Sequence, residues 1–122
     1  MYRYLNIRGA ADYSVFLPVE HILKVLVDFP EFSQSSERRY ESASGSPWIS
    51  LSIVACDSHG NYPAGISQTA DTANLVELIC SDSGDGRRQA GDEKLAMSIA
   101  EALGWDLVDC ESAEQVAKTE RA

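Results

Sequence analysis

Two apolar runs of unlike pattern constrain this chain more than anything else in it. In the first, Trp48-Ile49-Ser50-Leu51-Ser52-Ile53-Val54-Ala55-Cys56, the residues Ile49, Leu51, Ile53 and Ala55 alternate with Ser50, Ser52 and Val54. A period of two belongs to a strand with one buried face. The second, Asn74-Leu75-Val76-Glu77-Leu78-Ile79-Cys80, is nearly continuous and reads as a strand buried over most of its surface. The remaining segments need only supply layers that pack on these two strands.

Upstream, Tyr2 to Arg8 alternates as a strand, with Leu5 and Ile7 sharing one side with Arg3 while Tyr4 and Asn6 face the other. Pro18 suits the first turn of a helix, where its missing N–H costs nothing. Val19, Ile22, Leu23 and Leu26 follow as a helical stripe, widened by Val25, Val27 and Phe29 and ended by Pro30. The serine-rich stretch 33–46 reads as a surface connection with room for a polar edge strand around 38–42. Asp57-Ser58-His59-Gly60-Asn61-Tyr62-Pro63 is dense in turn formers. A second helix is expected from an Asp92 N-cap, with Leu95, Ile99, Ala102 and Leu103 inward and Gly104 as its left-handed stop. Residues 105–109 then form a short strand. From Glu111 the chain is polar, and Ser112 with Gln115 would suit a short capped helix or a frayed end.

The order is strand, helix, strand, strand, helix, strand. This predicts an α+β fold: a two-layer sandwich of an antiparallel sheet with two helices on one face, in the ferredoxin-like βαββαβ order. An extra strand in 33–46 or 64–73 would enlarge the sheet. The size of 122 residues fits a single domain, placed at 1–110, with a polar tail at 111–122.

Charge narrows the partners. A formal net charge of −9 opposes binding to nucleic acid or to an anionic membrane surface, since both require a basic footprint. It favours a basic partner. No stretch is apolar enough for a membrane span or a secretory signal, and the three widely spaced cysteines, Cys56, Cys80 and Cys110, do not make a disulfide framework. The expected location is the cytoplasm, with reduced thiols.

Chemistry-bearing groups are sparse. Cys56 and His59, with Cys80 and Cys110, offer one close ligand pair where a tight zinc site uses two. Cys56, Asp57 and His59 form a local trio, but adjacent strand residues point to opposite faces and do not converge on one substrate. The acidic loop 82–86 fails the calcium-loop spacing at Gly84, and no phosphate-loop lysine follows Gly86. No catalytic residue, metal or cofactor is therefore assigned. Glu77, inside the apolar run, requires a partner or water, and Arg3 or Arg8 is the expected ion pair.

What remains is a surface. Asp82, Asp85, Asp92, Glu93, Asp106, Asp109, Glu111 and Glu114 gather toward the second half, several at the ends of predicted elements, where they would form an acidic rim; Asp57, His59 and Tyr62 of the turn join it as contacts, with Trp48 or Trp105 as further anchors if exposed. Aromatic anchors in a charged rim are what tight protein interfaces use.

Several segments bear a family likeness: Gly9-Ala-Ala-Asp-Tyr-Ser-Val-Phe-Leu-Pro18, Ser46-Pro47-Trp48, Gly60-Asn61-Tyr62, Asn74 to Cys80, Ile99-Ala100 and Leu103-Gly104-Trp105. Through these the chain resembles the small acidic bacterial immunity proteins that neutralise polymorphic or secretion-delivered toxins. The resemblance implies a cognate toxin bound tightly in the cytoplasm, commonly by covering its active site. It carries no family binding residue onto a position here. An acidic surface would match a basic active-site cleft and speed association. Two other classes stay open on the residues alone: a small-molecule-binding or enzymatic ferredoxin-like domain, and a homodimeric regulatory module.

Overall fold

The computed structural model describes residues 2–42, 49–57, 71–81, 86–109 and 114–117. Within them the chain runs β1 (Tyr2–Arg8), β2 (Leu17–Pro18), α1 (Val19–Leu26), β3 (Phe32–Ser36), β4 (Arg39–Ser42), β5 (Ile49–Val54), β6 (Thr72–Ala73), β7 (Leu75–Ser81), α2 (Gly86–Leu103), β8 (Asp106–Asp109) and β9 (Glu114–Ala117). It is a mixed α+β fold.

The two apolar runs become neighbours. β5 and β7 pair antiparallel with Leu51 opposite Leu78 and Ile53 opposite Val76. β1 lies on the other side of β7, with Leu5 opposite Leu78 and Ile7 opposite Val76. The described strands make a main sheet in the order β3-β4-β5-β7-β1-β8-β9, with neighbours antiparallel, and β2 pairs separately with β6. β1 and β5 are both antiparallel to the β7 between them, so they run parallel to each other, with α1 on the path that joins them.

The alternation in the sequence is the alternation of faces. Leu5, Ile7, Ile49, Leu51, Ile53, Val76, Leu78, Cys80 and Leu107 enter one core with Val19, Ile22 and Leu26 of α1 and Ala96, Ile99, Ala100 and Leu103 of α2. The two helices also touch each other. Intervening positions, including Tyr4, Asn6, Arg8, Ser50, Ser52 and Glu77, are only half-buried or exposed. A side chain of Leu or Ile size contributes roughly 1.5–3 kcal/mol when fully buried, so this one layer of aliphatics dominates the stability of the domain.

Several elements differ from expectation, each for a local reason. The strand allowed around 38–42 is present as β4, but it is internal rather than an edge: β3 pairs with it, Gln34 opposite Tyr40, and β4 continues the sheet onto β5. The inward residues of this hairpin are Phe32 and Tyr40, so little apolar pattern marks it. α2 begins at Gly86, six residues ahead of Asp92, which lies within the helix. Its inward alanines are Ala96 and Ala100, and Ala102 is exposed. α1 stops at Leu26, leaving Val27 78% exposed rather than part of the apolar stripe. The segment expected as a short capped helix or a frayed end instead supplies β9, where Glu114 pairs with Asp109 and Gln115 with Val108. Trp48, residues 64–70, Cys110 and Ser112 lie outside the described residues.

Candidate functional site

In an antiparallel sheet, successive strands bring opposite termini to each end. Arg8 at the end of β1, residues 55–57 after β5, Asn74 before β7 and Asp106 at the start of β8 therefore meet at one end. Of the acidic residues expected to form a rim, Asp57 and Asp106 lie there. Asp109 lies at the other end of β8, opposite Leu5, three residues or roughly 10 Å along the strand. It is engaged by Arg3, whose Nε and Nη2 donate to its Oδ2 at 3.1 and 2.9 Å. Arg3 also donates to Glu93 Oε2 at 3.3 Å, tying β1 and β8 to α2. Burial works against the guanidinium charge, but the hydrogen bonds and charges of Asp109 and Glu93 outweigh it and raise its pKa above the ordinary value. Arg3 is therefore bound to these two acids and is not the expected partner of Glu77. His59, Tyr62, Asp82, Asp85 and Glu111 lie outside the described residues.

The end that gathers Asp57 and Asp106 is built on a buried amide. Asn74 is 1% exposed. Its Oδ1 accepts from Cys56 N–H at 2.9 Å and from Cys56 Sγ at 3.5 Å. Its Nδ2 donates to the carbonyls of Cys56 and Tyr13 at 2.9 and 3.0 Å. One side chain thus joins the end of β5, the start of β7 and the loop that follows β1. Both donors and both acceptor directions of the amide are used, so Asn74 positions its neighbours and has no capacity left for a ligand.

The loop it holds is compact. Tyr13 sits at φ 58°, an uncommon setting for a residue with a side chain. Its N–H donates to the Ala10 carbonyl at 3.0 Å, and its hydroxyl accepts from Arg8 Nη1 at 2.9 Å. The Arg8 guanidinium also lies 5.1 Å from the Tyr13 ring centroid, a cation–π contact. Asp12 Oδ1 accepts from the Ser14 N–H at 3.1 Å. Hydrogen bonding from Ser14 holds the Asp12 carboxyl below its ordinary pKa. Gly9 is tightly enclosed: a Cβ there would stand 2.6 Å from Val15 Cβ and 2.8 Å from Trp105 Nε1.

Chemically this end is quiet. Burial, with the negative charge of Asp57 second, pushes the Cys56 thiol up to about 11. It is protonated near neutral pH, whereas a nucleophilic or metal-binding cysteine acts as the thiolate. Cys80 is also buried, but it pairs with Ile49 at the far end of β5, seven residues and roughly 20 Å of strand from Cys56. Those two sulfurs do not share an ion, and His59 and Cys110 lie outside the described residues. Among the described residues no group of three or more His, Cys, Asp or Glu side chains is placed to hold a metal. Nor is any helix long and apolar enough to cross a membrane.

Charge is what this end offers. Arg8 stands directly opposite Asp106. Glu77 lies between Ser52 and Asn6 on the side of the sheet away from the helices. Asp12, Asp71 and Glu20 are exposed around the loop and the start of α1. Of the residues that sequence reasoning named for an interface, Asp57 and Asp106 lie at this end, and the framework of Asn74, Tyr13 and Arg8 beside them was not foreseen. No family model matches the chain, and no curated protein matches it.

Proposed function

We propose that this chain is a non-catalytic immunity-type protein that binds and neutralises a cognate bacterial toxin in the cytoplasm, presenting an acidic surface to a basic active-site cleft. The observation that carries the reading is the acidic character of one end of the sheet: Asp57 after β5 and Asp106 on β8 lie at that end, three strand spacings or roughly 14 Å apart, and Asp12 and Asp71 are exposed on the loop after β1 and just ahead of β6. Among the described residues of this region acids outnumber cations: Arg8 keeps its charge while its guanidinium donates to the Tyr13 hydroxyl, and Lys24 is offset by Glu20 at 3.5 Å. A negative potential of this kind accelerates encounter with a positive cleft. The protonated Cys56 and the saturated Asn74 favour recognition over catalysis at this end. In fold terms, the order β8-β1-β7-β5 with α1 and α2 as connections supports a ferredoxin-like two-layer core, enlarged by the β3–β4 hairpin and by β9.

The test is recovery of the protein from its native host with partners intact, identification by mass spectrometry, and assay of the partner alone and in complex. A stoichiometric enzyme whose activity the chain abolishes is the expected result, with an association rate that falls as salt is raised. Recovery of the chain alone or only with itself, from cells shown to express toxin domains, counts against the proposal.

A further inference from the structure

The loop after β1 is fixed from many sides, yet it leaves apolar side chains in water. Asn74 holds the Tyr13 carbonyl, Arg8 holds the Tyr13 hydroxyl, Asp12 closes a turn on Ser14, and Gly9 lies against Val15 and Trp105. Immediately beyond, Leu17 is anchored by pairing with Ala73. Between these fixed points Phe16 is 49% exposed and Val15 is 37% exposed. A single exposed apolar residue is ordinary. Two consecutive ones on a loop with this many restraints present a rigid apolar projection, and a surface ordered before it binds loses less entropy on binding. The loop's other aromatic, Tyr13, turns inward and is buried. Phe16 has no polar atom to satisfy in water, and aromatic side chains supply large contact area.

The surroundings select the occupant. Asp12 lies on the same loop. The Asp71 carbonyl accepts from the Val19 N–H at 2.7 Å, which puts Asp71 beside the start of α1 and one residue from Glu20. Asp106 follows Trp105, which abuts Gly9. Among the described residues, Asp12 and Asp71 are therefore the exposed acids that flank the apolar pair, Glu20 and Lys24 offset each other, and Arg8 keeps its charge with its guanidinium over the Tyr13 ring. Such an acidic flank repels nucleic acid, anionic lipid and a second copy of this acidic chain, and it attracts a basic protein surface.

We propose that residues 10–16 are a preformed docking epitope, with Phe16 and Val15 entering an apolar pocket that the partner protein rims with lysine and arginine. This rests on the protein-binding reading above and assigns it a surface. Phe16 is the anchor, and Asp12 and Asp71 steer the approach.

Site-specific photo-crosslinking in the native host tests this. Benzoylphenylalanine is introduced at Phe16 and, separately, at Ser35 on the exposed edge strand β3. Captured protein is identified and purified, then titrated against the wild-type chain, Phe16→Ala and the double variant Asp12→Lys, Asp71→Lys. The expected result is capture of a basic protein through position 16, and a loss of about 30-fold or more in affinity with Phe16→Ala. The double variant should lower the association rate and flatten its salt dependence. Because Phe16 is half exposed, Phe16→Ala should melt as wild type does, which separates loss of contact from loss of fold. Capture only through position 35 keeps the protein-binding reading and removes the loop from it. Capture of a second copy, or affinity unchanged by Phe16→Ala, overturns the epitope. No capture at either position overturns both readings.

Discussion

Replacing Asn74 with alanine should be among the most damaging single changes at the polar end of this sheet, despite removing so few atoms. The amide satisfies the Cys56 N–H, the Cys56 carbonyl and the Tyr13 carbonyl at 2.9, 2.9 and 3.0 Å, inside a site where Asn74 itself is 1% exposed. A buried backbone group left without a partner costs about 1–3 kcal/mol. Carbonyls retain a second lone pair and part of the site can relax, so the lower figure applies to each, giving a loss of about 3 kcal/mol. Against a typical domain stability of about 5–15 kcal/mol, that is a large share. With an m-value of about 1–3 kcal/mol/M, the urea midpoint should fall by about 1–3 M at constant slope.

Asn74→Asp refines the test, since it keeps the shape and the acceptor but replaces the donating NH2. Facing two carbonyl oxygens in a buried site, the new carboxyl should have a folded pKa above its unfolded value of about 3.9. A group raised in this way contributes stability below the unfolded pKa and loses it as pH rises through the folded pKa. The Asp variant should therefore come closest to wild type in acid and show its full deficit at neutral pH. Urea denaturation from pH 4 to 8 reads both effects. A loss below about 1 kcal/mol for Asn74→Ala, or an Asn74→Asp deficit flat across that range, would refute the assignment of the amide as the joint between β5, β7 and the loop.

Other residues make sharper contrasts in pairs. Cys56, raised from 9.0 to about 11, gives up stability as pH climbs through that interval, and the thiol should resist Ellman's reagent at pH 8 until the protein is unfolded. Cys56→Ala should flatten the alkaline part of the stability profile, and an unchanged profile would contradict the shift. Gly9→Ala meets Val15 and Trp105 at contact distances no real Cβ tolerates, so it should displace the loop and cost about 1–3 kcal/mol. Gly104→Ala meets nothing within 4 Å and pays only for φ +72°, about 1 kcal/mol, with the loop untouched by limited proteolysis. Asn6 is the counterpart of Asn74: its Oδ1 is buried with no hydrogen-bond partner among the described residues. Asn6→Val should be neutral or stabilising in a urea melt, because it removes an unpaired polar atom from a strand, and a loss above about 1 kcal/mol would show that the amide has a partner.

The legible parts of this fold were those with a repeated pattern. Ile49, Leu51 and Ile53 announce β5 because each second residue meets the same core, and Leu5 with Ile7 does the same for β1. Gly104 marks the end of α2 because its φ of +72° lies in a region where a Cβ is unwelcome. Of the β3–β4 hairpin only β4 was foreseen, as an edge strand; β3 escaped because Ser33, Ser35 and Ser36 face solvent and its core contribution is Phe32. The first turns of α2, Gly86-Arg87-Arg88-Gln89-Ala90-Gly91, contain no apolar repeat. β9 consists of Glu114-Gln115-Val116-Ala117, too short and polar to declare a face.

The site was harder to read for a different reason. An acid at the end of a strand is visible in the sequence, but which end of the sheet it reaches depends on strand direction. Asp106 and Asp109 bracket one four-residue strand and still reach opposite ends of it, Asp106 in register with Arg8 and Asp109 in register with Leu5 and bound by the Arg3 guanidinium. Asn74 is harder again, since its bonds span 18 and 61 residues and no local pattern encodes them. An asparagine ahead of a buried strand reads locally as a turn former. Its burial follows only once β5, β7 and the loop after β1 converge, and that convergence also fixes where Phe16 stands. The residue that makes the surface available is thus one that no partner need touch, and the same amide that supports the fold determines the shape offered for recognition.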